Sequence, residues 1–372
     1  MQPLEGIFVL DFSTLLPGPL ATLMLAEAGA EVLKIERPEG EDMRRFPPRM
    51  GEMSAPYAVL NRGKQALALD LKNPQALDVL RPLVARADVV VEQFRPGVMD
   101  RLGLGYRNLR AINPQLIYCS ITGYGQDGPR AQQAGHDLNY QAVTGLLGMA
   151  PGTPAAPAVP AALVADIAGG SMPAVINILL ALRQRDVTGE GCRLDIAMAD
   201  AMFTFNWLAL AQGGATGAYP GPNASMLTGG LPRYAVYATA DDRFIAVGAL
   251  EEKFWMNFCE AIGLPEHLRR DGDDPKATRT EVARIVAQRP AQAWADLLGP
   301  LDCCCTVVAT LEEALADPHF RGRDLFSRRV GLPAGEEVAA TVVPISPDFR
   351  DGELKAAPSL SVGASPDGSA SQ

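Results

Sequence analysis

Short apolar runs alternate with longer segments of helical periodicity along the N-terminal half of the chain. Apolar and β-branched residues predict strands over 7–12, 32–36, 66–70, 88–92, 116–121 and 192–197. Helical spacing of apolar residues fills the intervals, most clearly over 19–28, 74–86 and 166–185. Such alternation is typical of a parallel sheet with helices on both faces. The sequence therefore predicts a Rossmann-like, doubly wound α/β domain, whose ligands should bind beyond the carboxyl ends of the strands.

The pattern changes after residue 212. A stretch rich in glycine and proline follows, and beyond it two strand-like segments flank Asp241 and Asp242 as in a hairpin, before further helical patterns. These features predict a large domain over 1–212, a linker over 213–233, a small α+β domain over 234–330 and a return segment to the large domain over 331–372. The tail from Lys355 is rich in small and polar residues, and we expect it to be poorly ordered.

The composition disfavours several classes of function. The 372 residues carry 33 Lys and Arg against 43 Asp and Glu, a net charge of −10, which disfavours a protein that tracks nucleic-acid phosphates. The longest apolar segment, 172–182, is shorter than the roughly 18 residues of a membrane span and contains Asn177. Six cysteines, three of them adjacent at 303–305, match neither a disulfide framework nor a zinc site. We therefore expect a cytoplasmic protein with reduced thiols, no bound metal, and no targeting or membrane segment.

Two residues are candidates for acid–base chemistry. His136 lies in GHDLNY, on a loop between a predicted strand and a helical segment, although a single loop histidine is more often structural. Asp166 interrupts the apolar run ALVADIAGGSM and is followed by Gly169 and Gly170. Its carboxylate could cap a helix, or it could face a site that the two glycines open to close backbone approach. Position and spacing alone leave both interpretations open.

Arginines follow the ends of two predicted strands. Arg37 comes directly after the second strand, and Arg95 and Arg101 come after the strand over 88–92. Arginines at such ends suit phosphate recognition, although each one alone is equally consistent with a solvated surface side chain. The chain has no nucleophile elbow, no GxxxxGK[ST] phosphate loop and no HExxH zinc motif, so an anionic small ligand could use these arginines instead.

Several motifs together resemble those of the family III CoA-transferases, and within that family they most resemble the alpha-methylacyl-CoA racemases. The likeness covers about residues 1–320 and includes VLDFSTLLPGPLA, FRPGVMDRLGLGY, GHDLNY, ADIAGGSM and TGEGCRLDIAMADAM. Two departures are visible. The glycine-rich loop of the formyl-CoA-type transferases is reduced to Thr228-Gly229-Gly230, and LSVGAS stands near the place of the common C-terminal LGEHT element.

The resemblance implies an interlocked homodimer and assigns roles to three residues. In racemases the histidine of GHDxNY and the aspartate of the xDxxGG segment are the acid and the base, and they match His136 and Asp166. Glu251 resembles a small-domain glutamate that neighbours the histidine; by itself it is an acidic residue of a first helical turn. In transferases the same aspartate is a nucleophile and the histidine is lacking. Asp166 thus indicates the family, and His136 indicates the racemase branch.

The resemblance also implies where CoA binds. The matching residues are Arg37, Leu69, Asp70, Leu71, Lys72, Gln93, Phe94, Arg95, Arg101, Gly135, Asp137, Asn139 and Tyr140. CoA is then part of the substrate, and no separate cofactor is expected.

The chemistry of such a pair is consistent with racemisation of a 2-methyl-branched acyl-CoA. A thioester acidifies its α-hydrogen, and the enolate formed on its removal is planar, so inversion needs a base on one face and an acid on the other. A histidine, with an ordinary pKa of about 6.5, and a carboxylate whose pKa is raised in a dry pocket can form this pair. The alternative is a CoA-transferase that forms an acyl intermediate on Asp166. A catalytically silent CoA-binding protein is disfavoured because His136 and Asp166 are both present.

Overall fold

Seven parallel strands form the main sheet of the protein. In this computed structural model, which describes residues 2–150, 152–153, 156–332, 335–350 and 354–362, these strands are Phe8–Asp11, Glu31–Glu36, Gln65–Ala68, Val89–Glu92, Ile117–Thr122, Arg193–Ala197 and Leu360–Val362. The first strand is central, with the second and third on one side of it and the fourth, fifth and sixth on the other. The strand order therefore reverses between Phe8–Asp11 and Val89–Glu92. The predicted α/β class is confirmed.

The composition of the strands follows from burial on both faces of the sheet. All residues of Val89–Glu92 and Ile117–Thr122 are buried, and strands covered on both faces need nearly continuous apolar runs. Helix Ala76–Arg86 contributes Leu80 and Val84, one helical turn apart, to the core beside the sheet. The helices of this part of the chain are Pro17–Glu27, Ala55–Asn61, Ala76–Arg86, Val98–Arg101, Tyr106–Ile112, Asp137–Val143, Val164–Asp166, Met172–Thr188 and Met198–Phe205, with 3₁₀ turns at Asp42–Arg45 and Pro347–Phe349.

Helix Pro17–Glu27 connects the first two strands and is buried along its whole length. Proline at its first position costs no hydrogen bond, because the first amide groups of a helix have no partner within it. Gly29, with φ of +105°, turns the chain after the helix into the next strand. The start of this helix is thus fixed directly beyond the carboxyl end of the central strand.

The long helix after residue 163 is interrupted by a single π-helical turn. It begins as Val164–Asp166, passes through Ile167–Ser171 and continues as Met172–Thr188. In the part of the chain that the structure describes, Ala165–Thr188 is the one helix long and apolar enough to cross a membrane, and 44% of its most apolar window is buried. The core helix of a protein that never meets a membrane has the same length and composition. The absence of a membrane segment stays a prediction.

Contacts divide the chain into two units. The larger comprises Met1–Thr144, Ala161–Phe205 and Arg323–Gln372, and the smaller comprises Gly145–Pro160 and Asn206–Gly322. The segment predicted as a linker, 213–233, groups with the smaller unit and begins inside a helix. The chain passes from one unit to the other after residues 144, 160, 205 and 322, and the predicted division at 212 and 330 stays a prediction.

The smaller unit is built around an antiparallel sheet. Strands Tyr234–Ala238 and Phe244–Gly248 pair as the predicted hairpin, and Cys305–Val307 adds a third strand. Trp255 and Trp294 are buried at the centre of its core. Its helices are Leu146–Met149, Trp207–Thr216, Glu252–Ile262, Pro275–Val286, Ala291–Leu298, Leu311–Ala316 and Pro318–Gly322, with shorter turns at Met226–Gly230 and Glu266–Leu268. The remaining short strands of the chain are Arg49–Met50 with Met53–Ser54, Gly152–Thr153 with Ala156–Pro157, and Arg329–Gly331 between Glu337–Ala339 and Lys355–Ala356.

The prediction of a poorly ordered tail from Lys355 is wrong for the part that the structure describes. Lys355–Ala356 pairs with Arg329–Gly331, and Leu360–Val362 pairs in parallel with Gln65–Ala68 at the edge of the main sheet. Two apolar residues in alternation, 360 and 362, are enough for an edge strand, but the small and polar residues around them obscure the pattern. Residues 363–372 lie outside the described part of the chain.

Candidate active site

A cavity of about 400 Å³ lies where the strand order reverses. It adjoins the carboxyl ends of three strands, Phe8–Asp11, Val89–Glu92 and Ile117–Thr122, which is the place that a parallel sheet offers to a ligand. Among the residues that line it are Leu15, Pro17, Gln93, Phe94, Arg95, Gly135, His136, Asn139, Tyr140, Asp166 and Met198. The two candidate acid–base residues therefore border one cavity, although they lie on different helical segments.

His136 lies immediately before helix Asp137–Val143 and has an extended backbone. Its backbone N–H donates to Asn139 Oδ1 at 3.0 Å. In return, the backbone N–H of Asn139 donates to the carbonyl oxygen of His136 at 2.8 Å. These two bonds hold the backbone at the start of the helix, while the exposed imidazole borders the cavity.

Asp166 lies where the first helical turn meets the π-helical turn. Ser171 Oγ donates to the carbonyl oxygen of Asp166 at 3.2 Å and to that of Pro17 at 2.7 Å. One buried hydroxyl therefore connects the backbone carrying Asp166 to the first residue of helix Pro17–Glu27. Because Pro17 also lines the cavity, this contact fixes two of its walls relative to each other.

Gly169 and Gly170 permit close packing of helices around the π-helical turn. A Cβ at Gly169 would lie 2.8 Å from the carbonyl oxygen of Met198, and one at Gly170 would lie 3.0 Å from Cβ of Pro17. Real Cβ atoms do not approach backbone oxygens so closely, so a larger residue at 169 would push the helices apart. The close backbone approach that one interpretation of the sequence gave to these glycines is thus made by neighbouring helices.

Asp137 connects the two helical segments that carry the candidate residues. Its Oδ1 accepts hydrogen bonds from the backbone N–H of Ala165 at 2.7 Å and from that of Asp166 at 3.0 Å. Its Oδ2 accepts a bond from Gln141 Nε2 at 2.6 Å. The side chain is buried and is not among the residues that line the cavity. Although the resemblance implies a CoA contact for Asp137, this carboxylate is directed to internal partners.

The pKa of Asp166 is raised to about 6. Burial is the largest cause, the negative charge of Asp137 adds to it, and His136 acts in the opposite direction. A carboxyl with this pKa is partly protonated near neutral pH, so the same group can donate or accept a proton there. This is the property that the sequence predicts for the acid of a dry pocket.

Tyr140 fills the space between two glycines. A Cβ at Gly123 or at Gly135 would lie 2.6 or 2.8 Å from its ring, and its hydroxyl donates to the carbonyl oxygen of Gly135 at 2.5 Å. Burial, followed by the charge of Asp166, raises the pKa of Tyr140 to about 12. The phenol therefore stays neutral and holds the GHDLNY loop against the cavity wall.

The segment Gln93-Phe94-Arg95 lines the cavity on the side of the central strands. Gln93 Oε1 accepts a hydrogen bond from the backbone N–H of Gly18 at 3.0 Å, which holds this segment to the start of helix Pro17–Glu27. Phe94 packs against the core beside the sheet. Arg95 is exposed, and of the three predicted phosphate-binding arginines it is the one that lines the same cavity as the candidate acid and base.

A second group of predicted CoA-binding residues lines a different cavity of about 270 Å³. Leu71, Lys72 and Arg101 border it together. The nearby Leu69 N–H donates to the carbonyl oxygen of Glu36 at 2.8 Å, and Asp70 Oδ1 accepts from the N–H of Lys72 at 2.9 Å. Lys72 and Arg101 thus lie at one opening with their cationic groups exposed, while Leu69 and Asp70 hold the loop in shape.

Arg37 lies outside both cavities. Its Nη2 is 2.5 Å from Asp42 Oδ1, and its Nε donates to the carbonyl oxygen of Gly40 at 2.8 Å. The side chain is about half exposed, so solvent weakens this ion pair and leaves the guanidinium accessible. The structure gives Arg37 a partner in its own loop, and its contact with CoA stays a prediction.

Glu251 belongs to the smaller unit. It is exposed and lies immediately before helix Glu252–Ile262, where its carbonyl oxygen accepts a hydrogen bond from the N–H of Trp255 at 3.0 Å. This is the helix-start position that the sequence alone indicates. The proximity of Glu251 to His136 stays a prediction.

Sequence reasoning missed the wall formed by Leu15 and Met198. Leu15 has a left-handed backbone, with φ of +62°, and its N–H donates to Glu41 Oε2 at 2.8 Å. A residue with a β-carbon is strained in this backbone conformation, so contacts with the surrounding structure must hold the Leu15 backbone in place. The sequence LLPGP after the first strand was the available signal, because Leu15 lies beyond the carboxyl end of that strand.

A polar cavity of about 270 Å³ lies on the other side of Arg95. Its lining includes Glu92, Ser120, Gln126 and Arg193. Burial raises the pKa of Glu92 to about 6, even though the N–H of Phe94 donates a hydrogen bond to its carboxyl group at 2.8 Å. Within the described ranges, no group of three or more His, Cys, Asp and Glu side chains is arranged to hold a metal ion.

Comparison with known proteins matches most of this chain to a described family and to individual relatives. A family model described as CoA-transferase family III matches residues 4–362. The chain is 36% identical over 336 residues to the alpha-methylacyl-CoA racemase of Homo sapiens, covering 87% of this chain and 82% of the relative. It is 32% identical over 343 residues to the acetyl-CoA:oxalate CoA-transferase of Acetobacter aceti, covering 89% and 87%. The crystal structure of a CAIB/BAIF family protein from Brucella suis is 29% identical, with a TM-score of 0.78 and 95% and 96% of the two chains covered.

Proposed function

Because this chain belongs to CoA-transferase family III, we propose that it is an acyl-CoA racemase that inverts the α-carbon of 2-methyl-branched acyl-CoA thioesters. The observation that carries the proposal is that His136 and Asp166 border one cavity. A histidine at this position distinguishes the racemase branch from the transferases in the resemblance described above. Both kinds of relative match this chain at similar identity, so the argument depends on these side chains.

The reaction requires two proton transfers on opposite faces of one carbon. With the thioester in the cavity, neutral His136 removes the α-hydrogen and becomes cationic, and the electron pair passes into the enolate. Protonated Asp166 then donates its proton to the opposite face and becomes a carboxylate. The reverse direction starts from the carboxylate of Asp166 and cationic His136. The raised pKa of Asp166 supports this role, since both protonation states are accessible near pH 6.

The charged and apolar walls of the cavity fit the two ends of an acyl-CoA. Arg95 provides a cation at this cavity, and Lys72 with Arg101 provides two more at the separate cavity of about 270 Å³. Leu15 and Met198 provide apolar surface for the acyl group. Arginine binds phosphate oxygens through paired N–H donors, and methionine adapts to acyl chains of different shape. This arrangement supports a thioester whose carbonyl lies between phosphate-binding and apolar surfaces.

A CoA-transferase is the second candidate, and the similarity to the Acetobacter aceti enzyme favours it. In that reaction the carboxylate of Asp166 attacks the thioester carbonyl and the C–S bond breaks. CoA leaves as a thiolate, and the acyl group remains on Asp166 as a mixed anhydride. The thiolate then attacks the other side of the anhydride, which releases the first acid and leaves CoA on Asp166 for the acceptor. This route needs Asp166 ionised and has no evident task for His136.

We also propose that the protein is a cytoplasmic, interlocked homodimer. Helix Met172–Thr188 exposes Ile176, Leu180 and Val187, which are 56%, 63% and 73% exposed and recur at helical spacing. A monomer seldom exposes large apolar patches, so several exposed apolar side chains on one helix favour a partner surface. The exposure of these side chains supports an oligomer in which a second copy of the chain covers them, and the resemblance implies the interlocked form.

The deciding experiment is incubation with a (2R)-2-methylacyl-CoA in deuterated water, with and without a free carboxylate acceptor. We expect deuterium at the α-carbon and formation of the 2S isomer without any acceptor. His319→Ala and Asp78→Ala, which change exposed residues outside the cavity, are the matched controls and should retain the activity. Acyl adducts trapped on Asp166 by hydroxylamine, with no deuterium at the α-carbon, would establish the transferase instead.

A further inference from the structure

We propose that Asp137 is a positioning residue that fixes His136 and Asp166 relative to each other. Its side chain accepts a hydrogen bond from the backbone N–H of Asp166, and its backbone directly follows that of His136. The inference rests on the proposed function and assigns a task to a side chain that does not line the cavity. It replaces the CoA contact that the resemblance implies for this residue.

The connectivity is the first argument. Asp137 follows His136 directly, so any displacement of its backbone moves the candidate base. Its Oδ1 receives the N–H groups of Ala165 and Asp166, at 2.7 and 3.0 Å. These amides belong to the first turn of a helix, where backbone donors lack intrahelical partners. One carboxylate oxygen therefore couples segments 29 residues apart along the chain.

Burial of Asp137 is the second argument. The side chain is 5% exposed, and its other oxygen is occupied by the amide of Gln141, which is itself 2% exposed. A carboxylate with both oxygens in internal hydrogen bonds cannot turn towards a substrate without leaving buried amide groups unpaired. Breaking such bonds is costly, because the amides at 165 and 166 have no alternative partner described in the structure.

The charge of Asp137 is the third argument. The groups facing Asp166 are Asp137 and His136, with Tyr140 beside it and Arg95 acting on Tyr140. Of these, Asp137 is the one whose charge disfavours ionisation of Asp166. An amide in place of the carboxylate can still accept both N–H bonds, and Gln141 can turn its own oxygen towards the new NH₂ group. Geometry and charge can therefore be separated by substitution.

The test compares Asp137→Asn and Asp137→Ala with the exposed control Asp78→Asn. Exchange of the α-hydrogen with solvent is measured for each enantiomer against pH, and binding of CoA is measured by calorimetry. For the enantiomer whose α-hydrogen Asp166 removes, the exchange rate should rise as the pH passes through the pKa of Asp166, because only the carboxylate acts as a base. We expect Asp137→Asn to move that rise to lower pH with CoA affinity unchanged within twofold. Asp137→Ala should in addition lower the maximal rate by about 100-fold, because the two groups lose their alignment.

Two results would overturn the proposal. One is a pH profile of Asp137→Asn that superimposes on that of the wild type. The other is a tenfold loss of CoA affinity with the profile unchanged, which would make Asp137 a CoA contact. If Asp137→Ala does not fold, Asp137→Asn decides alone. If wild-type protein transfers acyl groups and exchanges no α-hydrogen, the racemase proposal fails separately, and the shift in the pH profile is then measured on acyl transfer.

Discussion

Asp11 Oδ2 lies 3.3 Å from Lys64 Nζ, and neither side chain is exposed to solvent. Lys64 also donates to Thr22 Oγ1 at 2.8 Å and to Asn61 Oδ1 at 2.9 Å. Burial by itself raises the pKa of Asp11, but the charges of Lys34 and Lys64, together with hydrogen bonds from Ser13 and Thr22, hold this pKa at about 2. These charges lie beneath the loop that leads from the central strand to the cavity.

Replacement of Asp11 by Asn should therefore destabilise the protein strongly. It leaves the ammonium group of Lys64 buried without its counter-ion, and such losses cost about 3–5 kcal/mol. Urea unfolding at pH 7 measures the effect. Arg45→Ala, which breaks an exposed pair with Asp42, is the control and should cost no more than about 1 kcal/mol. The difference in free energy of unfolding between the wild type and Asp11→Asn should be full above the ordinary carboxyl pKa. It should shrink as the pH falls towards 2, where Asp11 becomes protonated. Equal effects of the two substitutions would contradict this.

Glu92 should have the opposite effect on stability. Its folded pKa, about 6, exceeds the ordinary value of 4.5, so the folded protein binds the proton more tightly than the unfolded chain does. Glu92 therefore contributes fully to the free energy of unfolding below pH 4.5. This contribution falls by about 2 kcal/mol as the pH rises from 4.5 through 6. We expect Glu92→Gln to be more stable than the wild type at pH 7 and to lose this advantage at pH 4. The exposed Glu39→Gln should show no such difference.

Single substitutions of the candidate acid and base should affect the two enantiomers differently. Each group removes hydrogen from one face only, so His136→Ala should abolish exchange from one enantiomer and Asp166→Ala from the other. Both variants should lose net racemisation and still bind the CoA ester, because neither residue is needed for the nucleotide. Nuclear magnetic resonance of the α-hydrogen in deuterated water measures both rates. A His136→Ala variant that keeps full activity would exclude His136 from the reaction.

The three predicted phosphate-binding arginines can be ranked by their surroundings. Charge-assisted bonds of this kind contribute about 1.5–3 kcal/mol each, so loss of one should weaken CoA binding by roughly tenfold or more. Arg95 and Arg101 border cavities, whereas Arg37 pairs with Asp42 in its own loop. We expect Arg95→Ala and Arg101→Ala to show this loss in calorimetry. Unchanged affinity for both, matching the exposed control Arg81→Ala, would refute the placement of CoA.

The exposed apolar face of helix Met172–Thr188 predicts a stable oligomer. If the subunits are interlocked, labelled and unlabelled protein should not exchange subunits unless they are unfolded first. Leu180→Asp should lower the assembled fraction measured by light scattering, because it would place a charge against an apolar partner surface. Free exchange between native subunits would contradict interlocking and leave an ordinary dimer.

The main sheet was predictable because its strands are distinct apolar runs. Val89–Glu92 has three valines in succession, and both faces of this strand are buried, so the periodicity carries the information. The strand Leu360–Val362 was not predictable, since its pairing depends on an edge formed almost three hundred residues earlier. Such long-range pairing leaves little trace in a local window of sequence.

The sequence was sufficient to predict the reacting side chains of the candidate site, but not the hydrogen bonds that hold them in place. The motif containing His136 and the carboxylate of Asp166 could both be identified, and they border one cavity. Asp137 was assigned to CoA because it lies in the same motif, whereas its hydrogen bonds run to backbone amides of a distant helix. A sequence shows which groups are chemically able to bond, and only the fold shows which amide groups need them.

The strand Leu360–Val362 also determines when the large unit can be completed. It pairs with Gln65–Ala68, whose outer edge has no other strand in the described sheet. During synthesis this edge emerges from the ribosome almost three hundred residues before its partner strand does. Until then, the nascent protein presents open backbone donors and acceptors on which another unfinished chain could pair. Pairing of Leu360–Val362 therefore follows synthesis of the other six strands of the sheet. A chain that stops before residue 360 would keep an aggregation-prone edge.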